Sequence, residues 1–245
     1  MIYNLIGGGN EKKWDKLKHN GVLFPDEYKQ HFTPLVVKGK KIILNKEAEE
    51  YATIYSRYLN TEYIKNKIFN NNFWDDWKKM LDKEEIKDLK DCDFKLIFNY
   101  VQKNKENEKE KNNENKQKRD KINEKYKYAY INNVKVKISN YKVEPPGLFM
   151  GRGDNPKTVK IKKRVMYEDV ILNIGEGEEI PKLEKGRKWK DIIHDNTVEW
   201  IAAWKDNITD KIKYVWLADK SVNDKKKYDK AEKLGEKINK IRKQI

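Results

Sequence analysis

The stretch from Glu144 to Arg164 reads Glu-Pro-Pro-Gly-Leu-Phe-Met-Gly-Arg-Gly-Asp-Asn-Pro-Lys-Thr-Val-Lys-Ile-Lys-Lys-Arg. Its consecutive prolines stiffen the chain, and its glycines permit tight turns and close approach of the backbone to a ligand. Arg152 stands between two of these glycines, so no bulky neighbour keeps its side chain out of a narrow groove, where the negative potential of DNA is enhanced. The pattern predicts a loop that brings a cation close to a polyanion.

Basic side chains continue beyond the glycines of this stretch. They recur at a spacing typical of a strand and could contact phosphates: Lys157, Lys160, Lys162, Lys163 and Arg164. The residues alone leave a second interpretation open, because a surface loop rich in glycine and proline with incidental lysines has the same composition.

The overall composition agrees with a polyanionic partner but does not prove one. The 245 residues include 55 Lys and Arg against 40 Asp and Glu, a formal net charge of +15. However, 49 of the basic residues are Lys and only 6 are Arg, and an AT-rich gene would produce the same excess of lysine. The 7 Trp, 14 Tyr and 7 Phe are too many for a disordered tail, so we expect at least one real core.

Several classes of protein and site are disfavoured by the sequence. The longest apolar runs are a few residues, against about 20 needed to span a bilayer, and the first residues do not resemble a signal peptide, so we expect no membrane partner. A single cysteine, Cys92, excludes a disulfide scaffold. His19, His31 and His194 lie far apart, and no spacing typical of metal ligands occurs. We therefore predict no catalytic residue, no metal and no cofactor.

The first half of the chain has helical signals. Residues 35–44 predict a short hairpin, Asn45 can cap a following helix, and Thr61 can cap a second one. A group of aromatic residues near the middle of this block is expected to be core: Phe69, Phe73, Trp74 and Trp77. Residues 102–121 contain no apolar side chain, so they are either disordered or an exposed helix supported by charge pairs.

The second half changes character. Residues 126–138 have the alternation and turn chemistry of a β-hairpin, and 170–174, 198–204 and 212–217 are the best strand candidates. Apolar residues then recur at spacings of three and four from Ala231 to the end, which predicts a helix with one apolar stripe. The sequence therefore predicts an α+β fold.

The run from Glu144 to Lys157, followed by Lys-Lys-Arg-Val-Met-Tyr-Glu-Asp-Val at 162–170, resembles the N-terminal DNA-binding region of eukaryotic DNA topoisomerase I, the type IB enzyme. Further matches occur in the same order as in that family, at Trp14 to Pro25, Phe73 to Trp77, Cys92 to Phe94, Lys188 to Lys190, His194 to Trp200 and Ile212 to Tyr214. The resemblance covers about residues 11–245, which makes it far more specific than one motif.

The resemblance implies an α+β architecture with a β-rich lobe and a helical lobe that carries long projecting charged helices. The final helix would lead to a catalytic half that these residues do not include. On this basis we divide the chain into an N-terminal segment (1–24) that packs on the β-rich lobe, a helical lobe (25–126), a β-rich DNA-binding lobe (127–220) and a connecting helix (221–245).

The resemblance also implies roles for individual residues. The expected DNA contacts are Arg152 in the minor groove, with Trp200, Lys213, Tyr214, Lys227, Lys162, Lys163 and Arg164. Assigning Lys227 requires a four-residue gap between Leu217 and that lysine. The lip of the clamp would include Met150, Gly151 and Lys157, and Met150 replaces the arginine that is usual in the family.

The function implied is that of half an enzyme in the nucleus. This half would clamp double-stranded DNA so that a tyrosine of the C-terminal catalytic half, its partner, nicks one strand, allows rotation and reseals it without ATP or metal. None of the 14 Tyr here is expected to be catalytic, and this chain alone should be inactive. The alternatives are a non-enzymatic DNA-binding or architectural protein, and an RNA-associated or ribosomal structural protein. The absence of an RNA-binding signature weighs against the latter.

Overall fold

The structure, a computed structural model, describes residues 11–82, 85–114, 116–151, 155–217 and 228–238. The described strands, in chain order, are β1 Leu17–His19, β2 Leu35–Val37, β3 Lys40–Ile42, β4 Cys92–Asp93, β5 Tyr128–Ile131, β6 Val134–Lys137, β7 Gly147–Leu148, β8 Ile161–Lys162, β9 Ile171–Asn173, β10 Asp191–Ile193, β11 Trp200–Lys205 and β12 Ile212–Trp216. The α-helices are α1 Lys46–Ser56, α2 Lys67–Trp77, α3 Lys95–Glu114, α4 Lys116–Tyr126 and α5 at 228–238. Single 3₁₀ turns lie at Glu62–Lys65, Lys78–Met80, Leu89–Asp91 and Tyr167–Asp169. The α+β prediction is confirmed.

One hydrophobic core lies among α1, α2 and α3 and the small sheet with strand order β3-β2-β4. Its centre is a row of aromatic rings, with Tyr55 stacked on Phe73 at 4.1 Å between ring centroids and Phe73 on Trp77 at 5.4 Å. Trp77 also donates from its indole N–H to the carbonyl of Ala48 at 2.9 Å, which satisfies its polar atom in the interior. The predicted aromatic core is confirmed.

The helix starts show one correct prediction and one error. Asn45 caps α1, because its side-chain oxygen accepts the N–H of Ala48 at 2.8 Å. Thr61 caps no α-helix, since its hydroxyl donates backward to the carbonyl of Tyr58 and only a 3₁₀ turn follows it. The second helix begins later, at α2, where the Asn66 side chain accepts the N–H groups of Ile68 and Phe69.

A second core lies around the sheet with strand order β10-β9-β11-β12 and the sheet with order β1-β5-β6. β9 and β10 run parallel, and every other strand pair in these two sheets is antiparallel. β11 is buried on both faces: Ala202 and Trp204 face this core, whereas Trp200 and Ala203 belong to a smaller cluster on the other side. A register shift between Trp200 and Ala202 produces this mixed pattern.

The apolar-free segment 102–121 is helical where it is described, on α3 and α4, and α4 buries no residue. On α5, Leu234 and Ile238 of the predicted apolar stripe are exposed. No helix in the described parts of the chain is long and apolar enough to cross a membrane.

The predicted domain boundaries stay a prediction. The first core includes Leu148, Val159 and Ile161, so the stretch after Glu144 packs on the helices although its sequence neighbours belong to the second core.

Candidate nucleic-acid interface

The turn between β11 and β12 is built around one aspartate. A carboxylate oxygen of Asp206 accepts the N–H groups of Ile208 and Thr209 at 2.9 and 2.8 Å, and also the Thr209 hydroxyl at 3.0 Å. Burial by itself would raise the pKa of Asp206, but these hydrogen bonds and the nearby Lys213 outweigh it and lower the pKa below its ordinary value. The turn is therefore a rigid platform with an ionised, internally satisfied carboxylate.

Predicted DNA contacts from distant parts of the sequence meet at this turn. The Lys157 ammonium donates to the carbonyl of Ile208 at 2.7 Å, and the backbone N–H of Lys163 donates to the side-chain oxygen of Asn207 at 3.1 Å. The Lys213 ammonium lies 3.8 Å from the carboxylate of Asp206. Three of the predicted basic residues thus contact this turn, Lys157 and Lys213 through the side chain and Lys163 through the backbone.

Glu144 connects two further members of the predicted set. Its carboxylate accepts a hydrogen bond from the Lys162 ammonium and a second from the Lys213 ammonium at 3.2 Å. Burial alone would raise the pKa of Glu144, but the hydrogen bonds and charges of both lysines outweigh it and lower the pKa. Lys162 and Lys213 share this ionised carboxylate, and Lys213 also lies 3.8 Å from the carboxylate of Asp206, so two partly exposed cations face two carboxylates.

Arg164 has a different environment. One guanidinium nitrogen donates to the Glu50 carboxylate at 2.7 Å, and another donates to the carbonyls of Pro25 and Asp26 at 3.2 and 2.9 Å. Its own N–H donates to the Tyr51 hydroxyl. The Arg164 and Glu50 side chains are only 18% and 10% exposed, so the charge of this arginine is neutralised within the protein. Its predicted DNA contact stays a prediction.

Aromatic residues form a row on the same sheet. Trp200 is 1% exposed and lies 5.6 Å from Tyr214 between ring centroids, and Tyr214 lies 5.4 Å from Trp216. The buried ring of Trp200 stabilises the sheet, whereas Trp216, which the sequence did not single out, is 37% exposed. The predicted DNA contacts of Trp200 and Tyr214 remain untested by this arrangement.

The predicted lip is described only in part. Met150 is exposed, and Gly151 lies against Asn155, where an added Cβ would meet the Asn155 Cβ at 2.5 Å. A side chain at residue 151 would therefore displace the loop. Arg152 and Lys227 lie outside the described residues.

Sequence reasoning missed the acidic and amide partners of these cations, Glu144, Asp206, Asn207 and Glu50. The run Asp206-Asn207 between two predicted strands is turn chemistry that could have been found. Glu144 and Glu50 had no local signal, because their partners are 18 to 114 residues away.

No group of His, Cys, Asp and Glu that could hold a metal occurs within the described ranges. The three histidines instead have structural hydrogen bonds. A ring nitrogen of His19 donates to the carbonyl of Asn173 at 2.8 Å, one of His194 donates to that of Ile174 at 2.7 Å, and the His31 ring accepts the N–H of Thr33 at 3.1 Å.

The fold and this face define a class of protein: an α+β protein with two cores, whose lysines converge on a strand turn in a manner suited to an anionic polymer. Residues 12–217 match the family model described as "Eukaryotic DNA topoisomerase I, DNA binding fragment". The chain belongs to this family.

Curated relatives agree with the family model. DNA topoisomerase 1 beta of Arabidopsis thaliana is 44% identical over 98% of this chain and 27% of its own length. DNA topoisomerase 1 of Schizosaccharomyces pombe is 45% identical over 95% of this chain and 30% of its own length. DNA topoisomerase 1 of Homo sapiens is 38% identical over 95% of this chain and 32% of its own length. The chain thus spans about a third or less of the relatives it matches.

Proposed function

We propose that this chain is the DNA-binding part of a type IB DNA topoisomerase and that it clamps duplex DNA in the nucleus. Cleavage, rotation and religation would be carried out by a tyrosine in a catalytic partner segment outside residues 1–245. The lysine face would hold the phosphate backbone from one side and keep the duplex in register for that chemistry.

The convergence of Lys157, Lys163 and Lys213 on the β11–β12 turn is the observation that best supports this proposal. The turn contacts the ammonium groups of Lys157 and Lys213 and the backbone of Lys163. The Asp206 carboxylate lies 3.8 Å from the Lys213 ammonium, so a bound phosphate would share that lysine with Asp206. Contacts of this kind release counterions, so binding should weaken steeply as salt increases.

The binding test uses a fluorescent duplex of about 25 base pairs, long enough for several phosphate contacts, and titrates salt while anisotropy is recorded. Replacing the exposed Lys163 with Ala should weaken binding about threefold for every DNA sequence tested. The slope of log affinity against log salt concentration should become shallower by about 1. Lys41→Ala, at an exposed lysine of β3, is the matched control. An equal loss of duplex affinity in both variants would mean that any exposed lysine contributes as much as Lys163, and it would overturn the proposed interface.

The second test is relaxation of a supercoiled plasmid without ATP or metal. The chain alone should relax nothing, whereas adding the remaining part of a full-length relative should restore relaxation. Duplex binding with no restored relaxation would favour the stand-alone DNA-binding protein, and relaxation by residues 1–245 alone would contradict our placement of the active site.

A further inference from the structure

The loop at residues 155–160 is held in an unusual backbone conformation beside the predicted lip. Val159 has a φ of +70°, a left-handed value that a β-branched residue rarely adopts, and its side chain is fully buried in the first core. Its N–H donates to the carbonyl of Phe149 at 2.6 Å. Such a conformation persists only where the surroundings hold it firmly.

A side chain from α2 supplies part of that support. The amide of Asn72 donates to the carbonyl of Pro156 at 2.9 Å and to that of Thr158 at 2.8 Å. An amide NH₂ has two donors, so both are used, on the carbonyls that flank Lys157. One helical turn later, the carboxylate of Asp76 accepts the N–H of Ile161 at 3.1 Å. Two residues on one face of α2 therefore hold the backbone from 156 to 161 by hydrogen bonds.

Lys157 lies at the centre of this hydrogen-bonded segment. Its N–H donates to the side-chain oxygen of Asn155, and its ammonium reaches the carbonyl of Ile208 in the β11–β12 turn. Asn72 fixes the backbone on the helical side, while Lys157 extends from that backbone to the second core. The direction of the Lys157 side chain is thus set from a residue 85 positions earlier in the sequence.

We propose that Asn72 is a positioning residue for Lys157 and the loop that carries it: it contacts no DNA itself and acts by holding the two carbonyls on either side of that lysine. The inference rests on the proposed function, because Lys157 matters for binding only if this face contacts DNA. Without Asn72, the loop samples other conformations, and Lys157 loses its fixed position.

The first experiment needs no DNA and measures hydrogen exchange in peptides that cover residues 155–161. Asn72→Ala should speed exchange there roughly tenfold, because two hydrogen bonds that restrain the loop are lost. Asn72→Asp keeps the shape but sets a carboxylate against two carbonyls, so it should speed exchange at least as much. Asn71→Ala, at the exposed neighbouring position on α2, is the control and should leave exchange unchanged. Unchanged exchange in both Asn72 variants would overturn the inference.

The second experiment is a double-mutant cycle on duplex binding. Lys157→Ala should weaken binding about threefold in the wild type but less than twofold when Asn72 is already Ala, because the lysine is no longer positioned. Asn72→Gln, which keeps both donors, should recover part of the affinity. Additive losses would overturn the positioning role even if the loop loosens. A wild-type chain that shows no salt-dependent duplex binding would instead overturn the proposed function, while the exchange result would still stand.

Discussion

Lys162 and Arg164 are two residues apart and carry the same charge, yet they face different regions of the molecule. Lys162 points toward β12, where it shares the Glu144 carboxylate with Lys213. Arg164 points toward α1, where it pairs with the Glu50 carboxylate and also donates to two backbone carbonyls. One side of the segment holds a partly exposed network of ion pairs, and the other holds a single ion pair that is largely buried.

This difference shows that a formal charge of +15 does not measure the charge available to a ligand. Lys162 and Lys213 stay partly exposed in their network with Glu144 and Asp206, whereas the guanidinium of Arg164 joins the loop to α1 and to the chain at Pro25 and Asp26. A planar guanidinium suits the second task, because its donors are fixed in several directions at once. The following predictions test this contrast.

The largest effect is expected on the helical side. Arg164→Ala leaves the carboxylate of Glu50 buried and without its cation, so it should lower the free energy of unfolding by about 3 to 5 kcal/mol, measured in urea. Arg164→Lys keeps the charge but not the fork and should recover part of the loss. A loss of duplex affinity with unchanged stability would contradict the assignment of Arg164 to a structural role.

A buried histidine extends the comparison to pH. His19 is 4% exposed, and burial lowers its pKa from 6.5 to about 4. Between these two pKa values the unfolded chain binds a proton at His19 and the folded chain does not. The free energy of unfolding should therefore be unaffected by His19 above pH 6.5 and should decrease as the pH drops toward 4. The loss due to His19 should reach about 2 kcal/mol at pH 5, measured by urea unfolding at a series of pH values.

The control for this pH effect is His19→Gln, which cannot titrate and should show a flatter dependence of stability on pH between 6.5 and 5. An unchanged slope in that variant would mean that other groups cause the acid sensitivity.

The smallest effect is expected at the shared carboxylate. Glu144→Gln removes the negative charge between Lys162 and Lys213, so duplex affinity should rise about fivefold and the salt slope should steepen by about 1. Stability should fall by no more than about 1 kcal/mol, because the group is partly exposed. Glu62→Gln, in an exposed ion pair with Lys65, is the matched control. A weaker complex in Glu144→Gln would show that Glu144 positions the lysines rather than competing with phosphate.

Much of the local structure could be predicted from the sequence. Asn45 was recognised as a cap because capping depends on a side chain and a backbone N–H three residues apart. The β5–β6 hairpin was predicted for a similar reason, since two asparagines with positive φ form its turn. The prediction for Thr61 was wrong because its hydroxyl had a competing partner at Tyr58 that composition does not reveal.

The candidate site was predictable as a set of cations but not as an arrangement. The resemblance named Lys157, Lys163 and Lys213, and the structure brings these three to one turn. The sequence does not reveal that Arg164 is neutralised or that Trp200 is buried, because each outcome depends on residues far along the chain that pack against these side chains.

The sequence by itself determined the charge, the helix and strand periodicities and the family of this protein, because each of these is carried by residue types and short spacings. Only the tertiary structure decided which cations remain available, since an ion pair or a hydrogen bond such as that from Asn72 to Pro156 joins residues far apart in the chain. Whether the charge of a cation stays available to a ligand depends on how closely and how deeply it is paired with carboxylates, and folding alone brings those carboxylates into place.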